Sequence, residues 1–321
     1  MKAIQLRSLG KTDIKITPIG QGVMQFSGGG RIFKFMFPPM SEEESNAIVK
    51  TALDAGINWF DTAEAYGFGR SERKLSAGLQ AAKAKDEEVV IATKWLPIMR
   101  WAGSIKKTIS KRLENLYPYT IDLHQIHQPY SLSSLKAQLN AMANLVENGK
   151  IRSIGVSNFS AKQMRQSHDF LEQIGLPLAS NQVNYSLINR KIERDGVLDT
   201  AKELGISIIC WGPLQSGVLT GKYHENPELL KKVPFVRRRV IKRNLEKSQG
   251  LIDELDNIAK EHEATISQVA LSWLVNYHDE TVVAIPGATR ASQAESNGMA
   301  MSLNLSQSDL NSIADVSEQF I

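Results

Sequence analysis

The segment GINWFDTAEAYGFGRSE, residues 56 to 72, sets Asp61, Glu64 and Tyr66 directly behind an apolar run. Polar residues close other apolar runs in the same way. Lys94 ends VVIATK, His127 ends IDLHQIH, Asn158 follows SIGVS, and Gln182 and Tyr185 lie in SNQVNYS. A tyrosine beside a buried lysine and an aspartate is a device for moving a proton, because a nearby ammonium favours phenolate and lowers the phenol pKa from about 10 toward neutrality. Tyr66 is therefore the candidate general acid or base, and Asp61 the ion-pair partner that keeps Lys94 charged. His127 is the candidate for orienting a carbonyl oxygen and stabilising charge that develops on it. None of these groups is an obvious nucleophile. No metal is expected: the histidines show no His-Glu-x-x-His pattern, and His124 and His127 fall on opposite faces of a strand.

Such residues act together only if the fold gathers them. Short β-rich runs (WFDTA, EVVIATK, TIDLHQIH, RSIGVSN, LASNQVNYS, ISIICWGP, TVVAIPGA) alternate with amphipathic stretches such as SEEESNAIVKTALDAG, which Ser41 caps and Gly56 ends. With ITPIGQGVM as an earlier strand the count reaches eight, and continuous apolar strands joined by helices imply a parallel sheet buried on both faces. The predicted fold is a (β/α)8 TIM barrel, in which reactive groups sit at the carboxyl ends of the strands. QLRSLGKTDIKI reads as an N-terminal hairpin, and SQSDLNSIADVSEQF, with Ser306 and Ser308 before its apolar period, as an extra C-terminal helix. No linker divides the chain, so residues 1–321 are read as a single domain, with residues 222 to 247 a long insertion.

Composition narrows the class. Apolar residues at 42% and charged residues at 22% are those of a folded, water-soluble chain. The start lacks a leader pattern and no stretch of about 18 apolar residues occurs, so a cytoplasmic protein with no membrane partner is expected. The single cysteine, Cys210 in ISIICWG, reads as a buried thiol without chemistry. Much of the net charge of +4 comes from KKVPFVRRRVIKR, residues 231 to 243, read as a loop that is either solvated or touches an anionic cofactor. No zinc-finger, helix-turn-helix or ribonucleoprotein pattern accompanies it, so no nucleic-acid partner is expected. The choice between monomer and homo-oligomer stays open.

The same residues resemble the aldo-keto reductases over almost the whole chain. GINWFDTAEAYGFGRSE is similar to that family's signature around its catalytic aspartate and tyrosine, VVIATK to the strand bearing its lysine, and IDLHQIH to the strand bearing its histidine. The resemblance thus implies Asp61, Tyr66, Lys94 and His127 as catalytic residues. GKIRSIGVSNF, NQVNYS, GPLQSGVLTGKY and VVAIPGATRASQAESN follow in the family's order, most like the branch of bacterial and plant reductases and potassium-channel β subunits. It implies an NADP(H) cofactor whose carboxamide meets Ser157, Asn158 and Gln182 and whose nicotinamide ring stacks on Tyr185. It further implies a pyrophosphate beside Pro213, Leu214, Ser216, Gly217, Leu219 and Lys222. The adenosine 2′-phosphate and adenine would lie near Gly287, Thr289, Arg290, Gln293 and Asn297. Arg290 favours NADP over NAD, because a guanidinium engages the extra phosphate. The absence of Gly-x-Gly-x-x-Gly after an N-terminal strand independently argues against a Rossmann domain.

The expected activity is reduction of a small-molecule aldehyde or ketone by NADPH, with Tyr66 as proton donor. A cofactor-binding regulatory subunit with little turnover is the alternative. His124 and Gln128 depart from the residues the family often has beside its histidine, and Phe33, Phe35, Phe37, Trp95 and Trp101 are candidates to line an apolar carbonyl pocket.

Overall fold

The structure, a computed structural model, describes residues 4–28 and 38–321. Phe33, Phe35 and Phe37 lie outside the described residues. Strands β1 (Arg7–Ser8) and β2 (Lys15–Ile16) pair antiparallel as the expected hairpin. Eight parallel strands follow in consecutive order: β3 (Gln21–Gly22), β4 (Trp59–Asp61), β5 (Val90–Trp95), β6 (Leu123–Ile126), β7 (Ser153–Ser157), β8 (Leu178–Asn184), β9 (Ser207–Trp211) and β10 (Val282–Ala284). Parallel bridges from Ile19 to Ala284 and from Gly22 to Gly287 join the two edges and close the barrel. The (β/α)8 architecture read from the alternating runs is the one present.

Side chains alternate along each strand, and this decides what the barrel contains. Trp59, Val90, Ala92, Leu123, Ile209 and Val283 form the inner core, and Leu9, Ile14 and Ile16 of the hairpin join it as a floor. The outward set, including Phe60, Ile91, Ile126, Ile154 and Ile208, packs in a second core with the helices. With its lower half filled largely by apolar side chains, the barrel sets Asp61 and Lys94 toward the carboxyl ends of β4 and β5.

The helices around the sheet are α1 (Glu42–Asp54), α2 (Arg70–Ala81), α3 (Gly103–Leu116), α4 (Leu135–Glu147), α5 (Ala161–Glu172), α6 (Val197–Leu204), α7 (Lys222–Glu225), α8 (Phe235–Glu261), α9 (Ile266–Asn276), α10 (Ala291–Met299) and α11 (Gln307–Val316). Ser41 caps α1 in a reciprocal capping box with Glu44, and Gly56 leaves the helix at φ +83°. Ser306, rather than Ser308, caps α11. The basic segment is a correction to the sequence reading: it is not one loop, because Lys231 and Lys232 end a 3-10 turn (Pro227–Lys232) and the residues from Phe235 to Arg243 form the first turns of α8, a helix of 27 residues. Its run of like charge hides an apolar stripe in which Ile241, Leu251, Ile252, Leu255 and Ile258 are buried as the helix packs on α9 and α11. Among the described residues no helix is long and apolar enough to cross a membrane.

Candidate active site

Asp61, Lys94, Gln125 and Trp211 share the inward parity of the core residues below them, and Gln182 and Ser157 join them through hydrogen bonds, so the upper barrel is lined by polar and aromatic groups. Lys94 is fully buried. Its ammonium donates to Asp61 Oδ1 at 2.5 Å and to the Thr62 carbonyl at 2.8 Å. Asp61 Oδ2 accepts from Gln182 Nε2 at 2.8 Å and from Gln125 Nε2 at 3.3 Å. Both oxygens of the buried carboxylate are therefore satisfied, which a charge at this depth requires.

Tyr66 comes from the turn after β4 and is partly buried, its ring centroid 5.1 Å from the Lys94 ammonium. The His127 ring lies edge-on to it, with centroids 5.8 Å apart and planes at 82°. These four candidate residues converge, from β4, its following turn, β5 and the end of β6. The phenol differs from the sequence expectation in its ionisation. Burial pushes the Tyr66 pKa up, the Lys94 ammonium pulls it down, the Asp61 charge pushes it up again, and the balance lies above the ordinary value of 10.0. Burial outweighs the lysine, so Tyr66 is a neutral phenol at pH 7. Burial alone would lower the Lys94 pKa, but Asp61 and Tyr66 raise it above 10.5 and hold the ammonium. Burial and then Lys94 lower His127 to about 3, which makes it a neutral imidazole, and its buried Nδ1 has no hydrogen-bond partner among the described residues.

The other side of the mouth is neutral. Ser157 Oγ donates to the Gln182 carbonyl at 2.9 Å, and Asn158 Nδ2 donates to Ser157 Oγ at 3.0 Å and to the His127 carbonyl at 3.3 Å. Asn158 adopts φ +62°, a conformation asparagine tolerates better than most residues. Trp211, 41% exposed at the end of β9, donates Nε1 to Asn158 Oδ1 at 3.1 Å. Tyr185 lies elsewhere. Its ring is 0% exposed in the outer core beside Trp273 and His278, and its hydroxyl donates to Glu193 at 2.6 Å and lies 2.9 Å from His278 Nε2. It offers no free face to a ligand, so the expected stacking role does not fit this structure; the accessible aromatic next to Asn158 is Trp211.

After β9 the chain turns through Gln215, Ser216 and Gly217 at φ +44°, +57° and +92°. A Cβ at Gly217 would sit 3.0 Å from Lys222 Nζ, so glycine here leaves room for that ammonium. Ser216 is exposed and Leu214 partly so, whereas the side chains of Pro213 and Leu219 are buried and leave only backbone to meet a ligand. At the end of β10, a Cβ on Gly287 would lie 2.1 Å from the Gln25 amide. The Thr289 N–H and hydroxyl both donate to Gln293 Oε1, at 2.8 and 3.1 Å. Arg290 precedes α10, exposed and without an ion-pair partner among the described residues. Asn297 is buried, and its Nδ2 has no hydrogen-bond partner among the described residues. The buried Asn297 amide, the exposed Arg290 guanidinium and the glycine turn beside Lys222 fit a phosphorylated dinucleotide. Among the described residues no cluster of His, Cys, Asp or Glu could hold a metal ion.

Gln125 and Trp211 were absent from the sequence reading. The signal for both was present, since each keeps inward parity with Leu123 and Ile209 at the top of its strand.

The profile of the Aldo/keto reductase family matches residues 18–318. The chain is 30% identical to an NADP(+) aldo-keto reductase of Schizosaccharomyces pombe, over 87% of this chain and 84% of that one. It is 31% identical to a chloroplastic pyridoxal reductase of Arabidopsis thaliana, over 88% of this chain and 78% of the relative. A thermostable aldo-keto reductase solved with the inhibitor epalrestat superimposes with a TM-score of 0.79 at 28% identity, covering 98% of this chain and all of its own. The chain belongs to the aldo/keto reductase family. It is thus an oxidoreductase of a family that works on small carbonyl compounds with nicotinamide cofactors.

Proposed function

We propose that this chain reduces an aldehyde or ketone to the alcohol with NADPH, and that Tyr66 supplies the proton. The observation that carries the reading is the fully buried Lys94–Asp61 pair against a neutral Tyr66 at the barrel mouth. When bound, NADPH supplies the two-electron reducing equivalent. Ser157, Asn158 and Gln182 would hold the carboxamide and Trp211, in place of Tyr185, would face the ring. The turn from Pro213 to Lys222 would meet the pyrophosphate, and the rim from Gly287 to Asn297 the adenosine end. Charge that develops on the substrate oxygen is met by the Tyr66 hydroxyl, which gives up its proton, and by neutral His127 as a hydrogen-bond donor. Lys94 then faces the phenolate and stabilises it, so the ammonium matters more after proton transfer than before it. The regulatory-subunit alternative gains nothing from these groups, because a binding module needs no buried ion pair beside a tyrosine.

Titration with NADPH and NADH by tryptophan-fluorescence quenching, followed by a reduced-nicotinamide absorbance assay over a carbonyl panel, tests the reading. Tight NADPH binding with turnover is expected; binding without turnover on any carbonyl would move the protein to the regulatory class. In Arg290→Ala, NADPH affinity should fall about 10- to 100-fold, the scale of losing hydrogen bonds to a charged group, with little change for NADH. Equal losses for both cofactors would remove Arg290 from the 2′-phosphate.

A further inference from the structure

Glu64, the second carboxylate of the segment that carries Asp61 and Tyr66, has no part in the proton relay and yet is 7% exposed. Its Oε1 accepts from the Leu96 N–H at 2.8 Å and from the Arg100 guanidinium, and its Oε2 accepts from Arg112 Nη1 at 2.7 Å. Arg112 continues to Glu72, fully buried in α2, with Nε 2.8 Å from Oε2. Thr93 of β5 and Asn115 of α3 donate to the two oxygens of Glu72, each at 2.8 Å. Two carboxylates and two guanidiniums balance. The cluster lies outside the barrel, behind the turn that presents Tyr66.

Its connectivity is what matters. Tyr66 and Lys94 belong to different segments, and the distance between them is set by how the β4–α2 turn sits on the end of β5. Glu64 fastens the two twice: its own N–H donates to the Lys94 carbonyl at 3.2 Å, and its carboxylate takes the Leu96 N–H. The Glu64 carbonyl accepts the Gly69 N–H at 3.1 Å, closing the turn around Tyr66. Arg100 and Arg112 then tie the same carboxylate to the start and the body of α3. A buried, charge-assisted network of this kind costs desolvation that an apolar core would avoid, and its return is a fixed geometry.

We propose that Glu64 is a positioning residue for proton transfer: through Leu96, Arg100 and Arg112 it fixes the Tyr66 turn against Lys94. The proposal rests on the reductase reading above. Glu64→Gln keeps the shape and removes the charge that binds both guanidiniums. It should lower kcat by up to about 100-fold, the scale of an ångström-sized misplacement. NADPH Kd and the KM for the carbonyl should stay within about twofold, since neither is bound there. The solvent deuterium isotope effect on kcat should rise as proton delivery becomes slower than the other steps. Arg100→Gln, which removes the partly exposed partner and leaves Arg112 on Glu64, should show a smaller loss with the same split even if Glu64→Gln fails to fold. Wild-type kcat and isotope effect in both variants would overturn the proposal while leaving the reductase reading intact, as would a loss confined to NADPH binding. Absence of wild-type turnover on every carbonyl would overturn both.

Discussion

Tyr66 and Tyr185 each stand beside a buried ion pair, and the two sites are wired in opposite senses. Tyr185 donates to the anion of its pair: Glu193 accepts the phenolic hydrogen bond at 2.6 Å while Arg190 donates to the two carboxylate oxygens at 2.8 and 2.7 Å. Burial, then the Glu193 charge and hydrogen bond, push the Tyr185 pKa well above 10.0. Burial would raise Glu193, but Arg190, His278 and Tyr185 bring it down to about 2. Arg190 also bonds the Ala314 carbonyl and Ser317 Oγ, so this pair anchors the C-terminal segment. Tyr66 instead faces the cation of its pair, with Asp61 on the far side of Lys94. A phenol that donates to a carboxylate keeps its proton; one that faces an ammonium can release it when a substrate oxygen accepts. A tyrosine, a cation and a carboxylate thus form a clamp in one place and, in the proposed reading, a proton donor in the other.

The sharpest way to break this comparison is to remove the cation at the reactive end. Lys94→Met leaves Asp61 charged and buried, so turnover should disappear and stability should fall by about 3–5 kcal/mol, measured by urea unfolding. Near-normal turnover in a folded variant would end the role given to the ammonium. Tyr185→Phe should do the reverse, costing about 1–3 kcal/mol of stability by leaving Glu193 and His278 short of a partner, with kcat and NADPH affinity retained. A selective loss of NADPH binding there would restore Tyr185 to the cofactor site.

The pH dependence separates the two ends more finely. Reduction needs protonated Tyr66, whose pKa is raised, so phenol ionisation should not limit kcat until the pH climbs past 10.0. His127 is neutral down to about 3, so no histidine step should break kcat between about pH 5 and 8. For stability the sign is the opposite. The folded pKa values of His124 and His127, both about 3, lie below the ordinary 6.5, so their contribution is complete above 6.5 and is lost as the pH falls from there. The unfolding midpoint should drop on acidification, and replacing buried His124 with glutamine should shallow that drop.

Periodicity was enough for the barrel because strands buried on both faces alternate visibly with amphipathic helices. It was enough to bring Asp61, Tyr66, Lys94 and His127 together, because polar residues at the carboxyl ends of parallel strands gather at one mouth. Tyr185 shows the limit of a motif, which says which residues are near a strand end and not which way they turn: it follows β8 but lies in the outer core, whereas parity at the top of β9 turns Trp211 inward. The direction of the Tyr66 shift required burial and charge to be weighed at one point in space, which spacing does not report. The basic stretch misled for a similar reason, its charges concealing the stripe that buries α8.

The central claim is that Tyr66 gives the proton and does little else. Its most direct test is Tyr66→Phe, with NADPH Kd and kcat measured on the same preparation against any carbonyl the wild type reduces. The account predicts an unchanged Kd and a kcat lower by about 100- to 10,000-fold, the range of general-acid catalysis. Turnover close to wild type at unchanged Kd would contradict it.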